Sequence, residues 1–302
     1  MRFHELRKEG TGIMLATALV SGLSLGSIYG LIALGFTLTF AVSGTVNFAQ
    51  GSSVMLGAVV CHVLAVGLRW PMVAAVPVAL LACAAWGLIV ERIAVRPFVA
   101  RGTNSWLMAT VALGIVLDNV VMVLFGKEPR ALPSSLADDP WVIGNVGIFP
   151  LQVLVPAVGL GLALTVHLGM HRTGLGLKLR AAVENPDAAR LMSIDVTMLI
   201  ALTYAAAALL AGIGGILIAP VYNVAYDMGT LFGIKAFAVA ILGGLTNPWG
   251  VVIAGLLYGL VEACATTWLG SSSTQIVTFS AVIAALVLAP SGLFGGRTKV
   301  RV

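Results

Sequence analysis

Charged side chains are scarce in this sequence. Only 10% of its 302 residues are Asp, Glu, Lys or Arg, whereas 59% are hydrophobic and the mean hydropathy is +1.04. Soluble domains average about 25% charged and about 45–50% apolar residues, so a soluble fold is excluded because it could not bury this much apolar surface. Lipid offers the backbone no hydrogen-bond partner, which requires helices or a closed barrel, and the long, non-alternating apolar runs exclude the barrel.

Recognisable chemical motifs are also lacking. The three cysteines form no C-x-x-C pair and the four histidines lack metal-ligand spacing, so neither a metal site nor a cofactor is predicted. No G-x-x-x-x-G-K-S/T stretch is present, which excludes a phosphate-binding loop for ATP in this chain. The net charge of +5 comes from basic residues between apolar runs, which is typical of membrane proteins and does not indicate nucleic-acid binding.

The apolar runs predict an all-α, polytopic membrane helix bundle of about eight to ten transmembrane helices with broken or re-entrant segments, in which residues 1–302 form one domain. The first run has about 30 residues, against about 20 needed to cross a bilayer, so we expect two tightly joined spans rather than one tilted helix. That gives ten crossings, with eight as the conservative count. The runs cover about residues 13–42, 53–68, 71–90, 105–125, 149–170, 197–219, 235–244, 249–266 and 275–290.

The distribution of basic residues predicts the orientation. Lys and Arg are concentrated in connectors 91–103 and 171–196 and near both chain ends, whereas connector 126–148 is more acidic. Cytoplasmic loops carry the excess of Lys and Arg. We therefore expect a multi-pass membrane protein, with both termini and the two basic connectors in the cytoplasm and connector 126–148 outside.

Two Gly-rich polar segments interrupt the apolar runs. Residues 43–53 read SGTVNFAQGSS, and residues 243–250 read GGLTNPWG. Paired interruptions in two halves of a transporter point to broken helices around a central pathway, and plain surface turns are the alternative. Asn47 and Gln50, within the first segment, are candidates for lining that pathway.

Glycines recur every four residues on one face of two runs. Gly22, Gly26 and Gly30 do so in the first run, and Gly255 and Gly259 in a later one. Small residues at this spacing allow helix backbones to approach closely. The pattern predicts tight helix packing and not transport chemistry.

Three ionisable residues, Asp118, Lys235 and Glu262, fall within apolar runs. Charges at such positions are costly and tend to be functional. Three interpretations stay open: the side chains line a translocation path, they pair to lock helices together, or they lie at an interface with a second membrane subunit.

The connector 171–196 predicts a short helix outside the membrane. Asn185 is a suitable N-cap, and Pro186 suits the first helical position. Asp187 and Arg190 then complement the helix dipole. A helix from Pro186 to Met192 favours a docking surface for a cytoplasmic partner, and a helix lying on lipid headgroups is the alternative.

Several sequence blocks resemble the LivH-type permeases of ABC importers for branched-chain amino acids and related solutes. The resemblance runs from about Gly22 to Gly292. It is carried by GSIYGLIALGFTLTF followed by VNFAQG, by RAAVENPDAARLMSID in the connector, and by GIKAFAVAILGGLTNPWG, YGLVEA and LAPSGLFG, in the family's order. Two departures are Gln50, where the family most often has His, and Ser193, where Gly is usual.

This resemblance implies a transport subunit without enzymatic activity of its own. The family pairs such a chain with a second, related permease in an expected heterodimer, surrounded by the lipid of the bacterial inner membrane. Two cytoplasmic ATPase subunits and a periplasmic substrate-binding protein complete the expected complex. It implies alternating access driven by the ATPases through a short coupling helix. The contacts carried over to this connector are Arg180, Glu184, Asn185, Pro186, Ala189 and Leu191.

Two other classes of protein are weighed against this one. An ion-coupled secondary transporter is the main alternative, and a membrane enzyme using Asp118 or Glu262 as an acid or base is the other. The capped connector helix favours the importer, because a secondary transporter has no need for a docking helix. The exact substrate is left open, because selection lies largely with the binding protein.

Overall fold

The fold is a helical bundle, seen in a computed structural model that describes residues 2–99, 101–143, 146–290 and 292–295. Two π-helical segments, Val63–Gly67 and Glu91–Val95, extend α2 and α3, and a small antiparallel hairpin of β1 (Trp141–Ile143) and β2 (Val146–Ile148) lies in connector 126–148. The helices are α1 Arg2–Ser43, α2 Gln50–His62, α3 Met72–Val90, α4 Arg96–Val99, α5 Trp106–Phe125, α6 Ser135–Asp138, α7 Pro150–Arg172, α8 Gly174–Glu184, α9 Pro186–Leu191, α10 Val196–Tyr222, α11 Met228–Gly243, α12 Pro248–Leu269 and α13 Ser271–Leu288.

Eight helical segments in the described part of the chain are long and apolar enough to cross a membrane. A ninth apolar helix, Met228–Gly243, is shorter. The predicted polytopic helix bundle is thus confirmed. The eight are Met14–Ser43, Gln50–Gly67, Met72–Val99, Trp106–Phe125, Pro150–Arg172, Val196–Tyr222, Pro248–Leu269 and Ser271–Leu288.

The first apolar run forms one helix, so the prediction of two spans in this run is wrong. Its 30-residue apolar part, Met14–Ser43, is about 45 Å long at about 1.5 Å per residue. The helix tolerates this length because it lies at the centre of the bundle and not against lipid: Tyr29, Ile32 and Phe36 are at most 1% exposed. A helix surrounded by protein need not match the thickness of the hydrocarbon.

The glycine faces of α1 and α12 meet, which confirms the predicted close packing and identifies its partner. A Cβ atom built on Gly26 would lie 2.6 Å from the carbonyl oxygen of Gly255, and one on Gly22 would lie 2.9 Å from that of Gly259. Gly30 lies opposite Val252. Position numbers rise on one helix as they fall on the other, so α1 and α12 are antiparallel and in backbone contact.

The two ends of α1 lie at opposite ends of the bundle. Gln152, in the first turn of α7, donates to the Ser21 hydroxyl at 3.2 Å, whereas Leu38 shares an apolar cluster with Met170 at the end of α7. The C-terminal end of α1 therefore lies with connector 171–196, and its N-terminal half lies away from it. The predicted placement of the N-terminus beside that connector required two spans in the first run and does not fit a single helix.

The last described residues lie at the end of the bundle that carries connector 171–196. Leu293 donates its N–H to the Leu242 carbonyl at 2.6 Å, and Trp249, which follows that turn, donates to His167 near the end of α7 at 3.1 Å. The basic C-terminal tail, for which a cytoplasmic position is predicted, falls in 296–302 and lies outside the described residues.

The two predicted interruptions differ in kind. Residues 44–49, between α1 and α2, lack helical structure, and most of them are buried: Asn47 and Ala49 are 0% exposed. The Thr45 hydroxyl lies 2.6 Å from that of Tyr204, inside the bundle. The second interruption is a surface turn, where Gly244 has φ +83° and Asn247 caps α12. The broken-helix interpretation holds for the first segment and the surface-turn interpretation for the second.

Candidate translocation site and coupling surface

Connector 171–196 contains the predicted capped helix, which ends at Leu191, one residue earlier than expected. The Asn185 Oδ1 atom accepts from the Ala188 N–H at 3.0 Å, and Pro186 is the first helical residue. Asp187 and Arg190 form an exposed ion pair at 2.9 Å. Ser193, just after the helix, has φ +59°, a left-handed conformation that favours glycine.

The surface of α9 is apolar as well as exposed. Leu191 is 89% exposed and Met192 is 77% exposed, outside every candidate span. Arg180, Glu184, Asn185 and Pro186 are exposed beside them. Among the predicted coupling contacts, Ala189 is instead 3% exposed, because it anchors α9 against Ala182, Val196 and Leu199.

Lys235 and Glu262 form a buried ion pair between α11 and α12. The Lys235 Nζ atom lies 2.5 Å from Glu262 Oε1 and 3.3 Å from the hydroxyl of Tyr29 on α1. Both charged residues are at most 6% exposed. Of the interpretations left open, pairing that locks helices together fits this geometry.

Asn47 and Gln50 lie at the break before α2 and hold it in place. Gln50 donates to the carbonyl of Ala207, near the middle of α10, at 2.8 Å. Asn47 Oδ1 accepts from the Ala49 N–H at 3.0 Å, and its amide nitrogen lies 3.4 Å from Gln50 Oε1. Both side chains are 0% exposed, so in this conformation they fasten the broken segment to α10.

Asp118 borders a cavity of about 260 Å³ between α1, α2, α5 and α11. Its Oδ2 atom accepts from the Thr230 hydroxyl at 3.3 Å, and Ser52 lines the same end of the cavity. The structure thus brings Asp118 close to α2 and α11, and does not bring it to the Lys235–Glu262 pair.

A second break, which sequence reasoning missed, immediately precedes the start of α11 at the same cavity. Residues 223–227 separate α10 from α11, with Val224 0% exposed and Asn223 at φ +48°. A Cβ atom on Gly233 would lie 2.8 Å from the Cα atom of Gly51, so the starts of α11 and α2 touch. Pro220 followed by Asn223 is the sequence signal for this break. The Gly-rich segment at 243–250 is a stronger turn signal and was chosen instead.

Known permease components resemble this chain over most of its length. A family described as the permease component of branched-chain amino acid transport systems matches residues 18–290. The permease protein LivH of the high-affinity branched-chain amino acid transport system of Escherichia coli K12 is 32% identical over 289 residues, which cover 91% of this chain and 94% of LivH. The corresponding protein BraD of Pseudomonas aeruginosa is 32% identical over 293 residues, covering 92% and 94% of the two chains.

A solved structure shares the fold. A chain of PsaBC from Streptococcus pneumoniae, in complex with Fab, superposes with a TM-score of 0.50 at 12% sequence identity, over 96% of this chain and 97% of that one. The match of the family model over nearly all the described spans, together with the relatives, is decisive for the family. This chain is a multi-pass membrane protein and belongs to the family of branched-chain amino acid transport permease components.

Proposed function

We propose that this chain is the transmembrane subunit of a bacterial ABC importer and forms the translocation path for branched-chain amino acids or a related small polar solute. The single observation that carries the mechanism is α9, a capped helix outside the spans whose Leu191 and Met192 are exposed. Large apolar side chains at such a surface favour contact with another protein. The relatives LivH and BraD, named for branched-chain amino acid transport, support the substrate class.

The proposed assembly supplies what this chain lacks. Two cytoplasmic ATPase subunits hydrolyse ATP, a second, homologous permease subunit completes the path as a heterodimer, and a periplasmic binding protein delivers the substrate. Closure of the ATPases moves α9 and rocks the helices between outward-facing and inward-facing arrangements. Such a mechanism requires two packings that differ by a few kcal/mol, about the amount that one or two buried contacts contribute.

The proposed orientation puts connector 171–196 in the cytoplasm, where the ATPases are. Five candidate spans, from Met14–Ser43 to Pro150–Arg172, precede this connector. Because five is odd, the beginning of α1 then faces the periplasm, together with connector 126–148. This revises the expectation that both termini are cytoplasmic and keeps it only for the C-terminal end.

The decisive experiment measures substrate-stimulated ATPase activity of the reconstituted complex. In the double variant Glu184→Ala, Leu191→Asp, stimulation should be lost while the subunits still assemble. The matched control is Leu191→Met, which keeps a large apolar side chain at the same exposed position and should leave stimulation intact. Unchanged stimulation in the double variant would show that α9 is only a connector.

An ion-coupled secondary transporter is the alternative, and purification separates the two. The importer should co-elute with ATPase subunits encoded beside it and should take up substrate only with ATP inside the vesicle. If the chain purifies without ATPase subunits and its uptake follows an ion gradient, the secondary transporter is the better description.

A further inference from the structure

The cavity beside Asp118 has one polar end and an otherwise apolar wall. The rings of Phe48 and Phe237 pack in a tilted arrangement with their centroids 5.0 Å apart, and Ile115 and Ile234 complete the apolar part. The polar end consists of Asp118 with the hydroxyls of Ser52 and Thr230. A small molecule with one charged end and one aliphatic end matches this division.

Asp118 has a carboxylate oxygen that lacks a partner. Its Oδ1 atom is buried and has no hydrogen bond of ordinary geometry from the described residues, although the nearby Ser52 hydroxyl also stabilises the carboxylate, and no Lys or Arg side chain lines the cavity. A buried carboxylate oxygen costs free energy unless a donor reaches it, and a cationic donor compensates it best. This Asp118 oxygen therefore favours a ligand with a positively charged group at this end of the cavity.

Two helix N-termini face the same cavity. Gly51 and Ser52 belong to the first turn of α2, and Gly229 and Thr230 to the first turn of α11. First turns leave backbone N–H groups without intrahelical partners and carry positive partial charge, which suits a carboxylate. In transporters, broken helices place such ends beside anionic groups of the substrate.

We propose that this cavity binds an aliphatic α-amino acid in transit, with its ammonium group at Asp118 Oδ1, its carboxylate at the first turns of α2 and α11, and its side chain among Phe48, Phe237 and Ile115. This inference rests on the proposed function and adds the place and manner of recognition within the permease. It gives the membrane subunit a selectivity of its own, for zwitterions over anions of the same shape.

The first test compares Asp118→Asn with the wild type in the complete complex, reconstituted with its ATPases and binding protein. L-Leucine uptake should fall about 10- to 100-fold, the usual effect of losing one charge-assisted hydrogen bond. ATPase stimulation by the loaded binding protein should persist. The control Asn119→Ala changes the adjacent, exposed residue on the same helix, which does not line the cavity, and its uptake should be unchanged.

A second test leaves Asp118 intact and so does not depend on how its variant folds. A single cysteine at Ile234, in a complex whose Cys61, Cys83 and Cys264 are replaced, should react with a small thiol reagent and be protected by L-leucine. The matching 2-oxo acid, which lacks the ammonium group, should not protect. A cysteine at Thr267, which borders a different cavity, is the control and should react equally with and without leucine.

The outcomes separate this inference from the proposed function. Full leucine uptake by Asp118→Asn, or no protection at Ile234→Cys while the wild type transports leucine, would overturn the binding site alone. Equal protection by the 2-oxo acid would overturn the assignment of the ammonium group. Absence of ATP-dependent leucine uptake by the wild-type complex would overturn both.

Discussion

At the scale of single residues, the buried ion pair of Lys235 and Glu262 favours a structural role for both. Each would be prohibitively costly alone in the interior, and their contact at 2.5 Å joins α11 to α12 beside Tyr29 of α1. Glu262 Oε2 is buried without a described partner, so the pair is not fully compensated. A pair of this kind contributes little net stability but makes the loss of either member costly.

Lys235→Met should destabilise the protein by about 3–5 kcal/mol, because it leaves a buried carboxylate without its counter-charge. The double variant Lys235→Met, Glu262→Leu should recover most of this loss. Thermal unfolding of the purified complex in detergent measures both. A single variant as stable as the wild type would mean that the ion pair does not lock the helices.

At the scale of helices, the contact between α1 and α12 depends on glycines, which have no Cβ atom. Opposed glycines bring the two backbones together, and a Cβ atom at Gly26 would collide with the backbone of Gly255 and of Leu256. Backbone atoms cannot move aside as a flexible side chain can. The central helix therefore stays in register with α12 only while these positions remain glycine.

Gly26→Ala should destabilise the fold by about 1–3 kcal/mol through overpacking. Gly161→Ala is the matched control, because Gly161 is exposed on α7 and a Cβ atom there meets nothing within 4 Å. The control should be neutral or slightly stabilising, since alanine favours helix. Equal unfolding midpoints for the two variants would argue against a tight contact between α1 and α12.

The short helix α9 depends on its N-cap. It has six residues, and such a length is marginal without capping and packing. Its hydrogen bond from Ala188 N–H to Asn185 Oδ1 satisfies one of the first-turn donors.

Asn185→Ala should weaken α9 by about 1 kcal/mol, whereas Asn185→Asp should keep the cap. The ratio of substrate transported to ATP hydrolysed in proteoliposomes is the measurement. We expect this ratio to fall for the alanine variant and to hold for the aspartate variant. If both variants lower it equally, the asparagine side chain acts through direct contact with a partner and not as a cap.

At the scale of the whole molecule, the number of crossings determines which surfaces meet which partners. Because α1 crosses once, its beginning and α9 lie on opposite sides of any membrane that the five intervening spans cross. Under the proposed function, a binding protein would meet the beginning of α1 and connector 126–148, and the ATPases would meet α9.

Single cysteines test this arrangement directly in a variant that lacks the native cysteines. Met14→Cys, at a residue 63% exposed, should react with a membrane-impermeant thiol reagent added outside intact spheroplasts, and Leu191→Cys should react only after lysis. The two positions differ in sidedness but both are accessible, so each serves as the control for the other. Labelling of both from the same side would contradict a single first span.

Much of this protein was determined by sequence alone. Its scarcity of charge predicted a membrane helix bundle, because a protein of this composition can keep so much apolar surface away from water only within lipid. Local chemistry fixed the capped helix at Asn185 and Pro186, since a cap depends on residues within one turn of each other. The glycine spacing of α1 predicted close packing against another helix, because the helix period puts those positions on one face.

Tertiary structure decided the rest. Whether the first run crossed once or twice depended on its being enclosed by other helices, which no local pattern records. The meeting of Lys235 with Glu262, and of the first turns of α2 and α11 beside Asp118, joins residues far apart in the chain. Their partners are chosen by packing among whole helices, and a sequence shows only that such side chains need partners, not which ones they find.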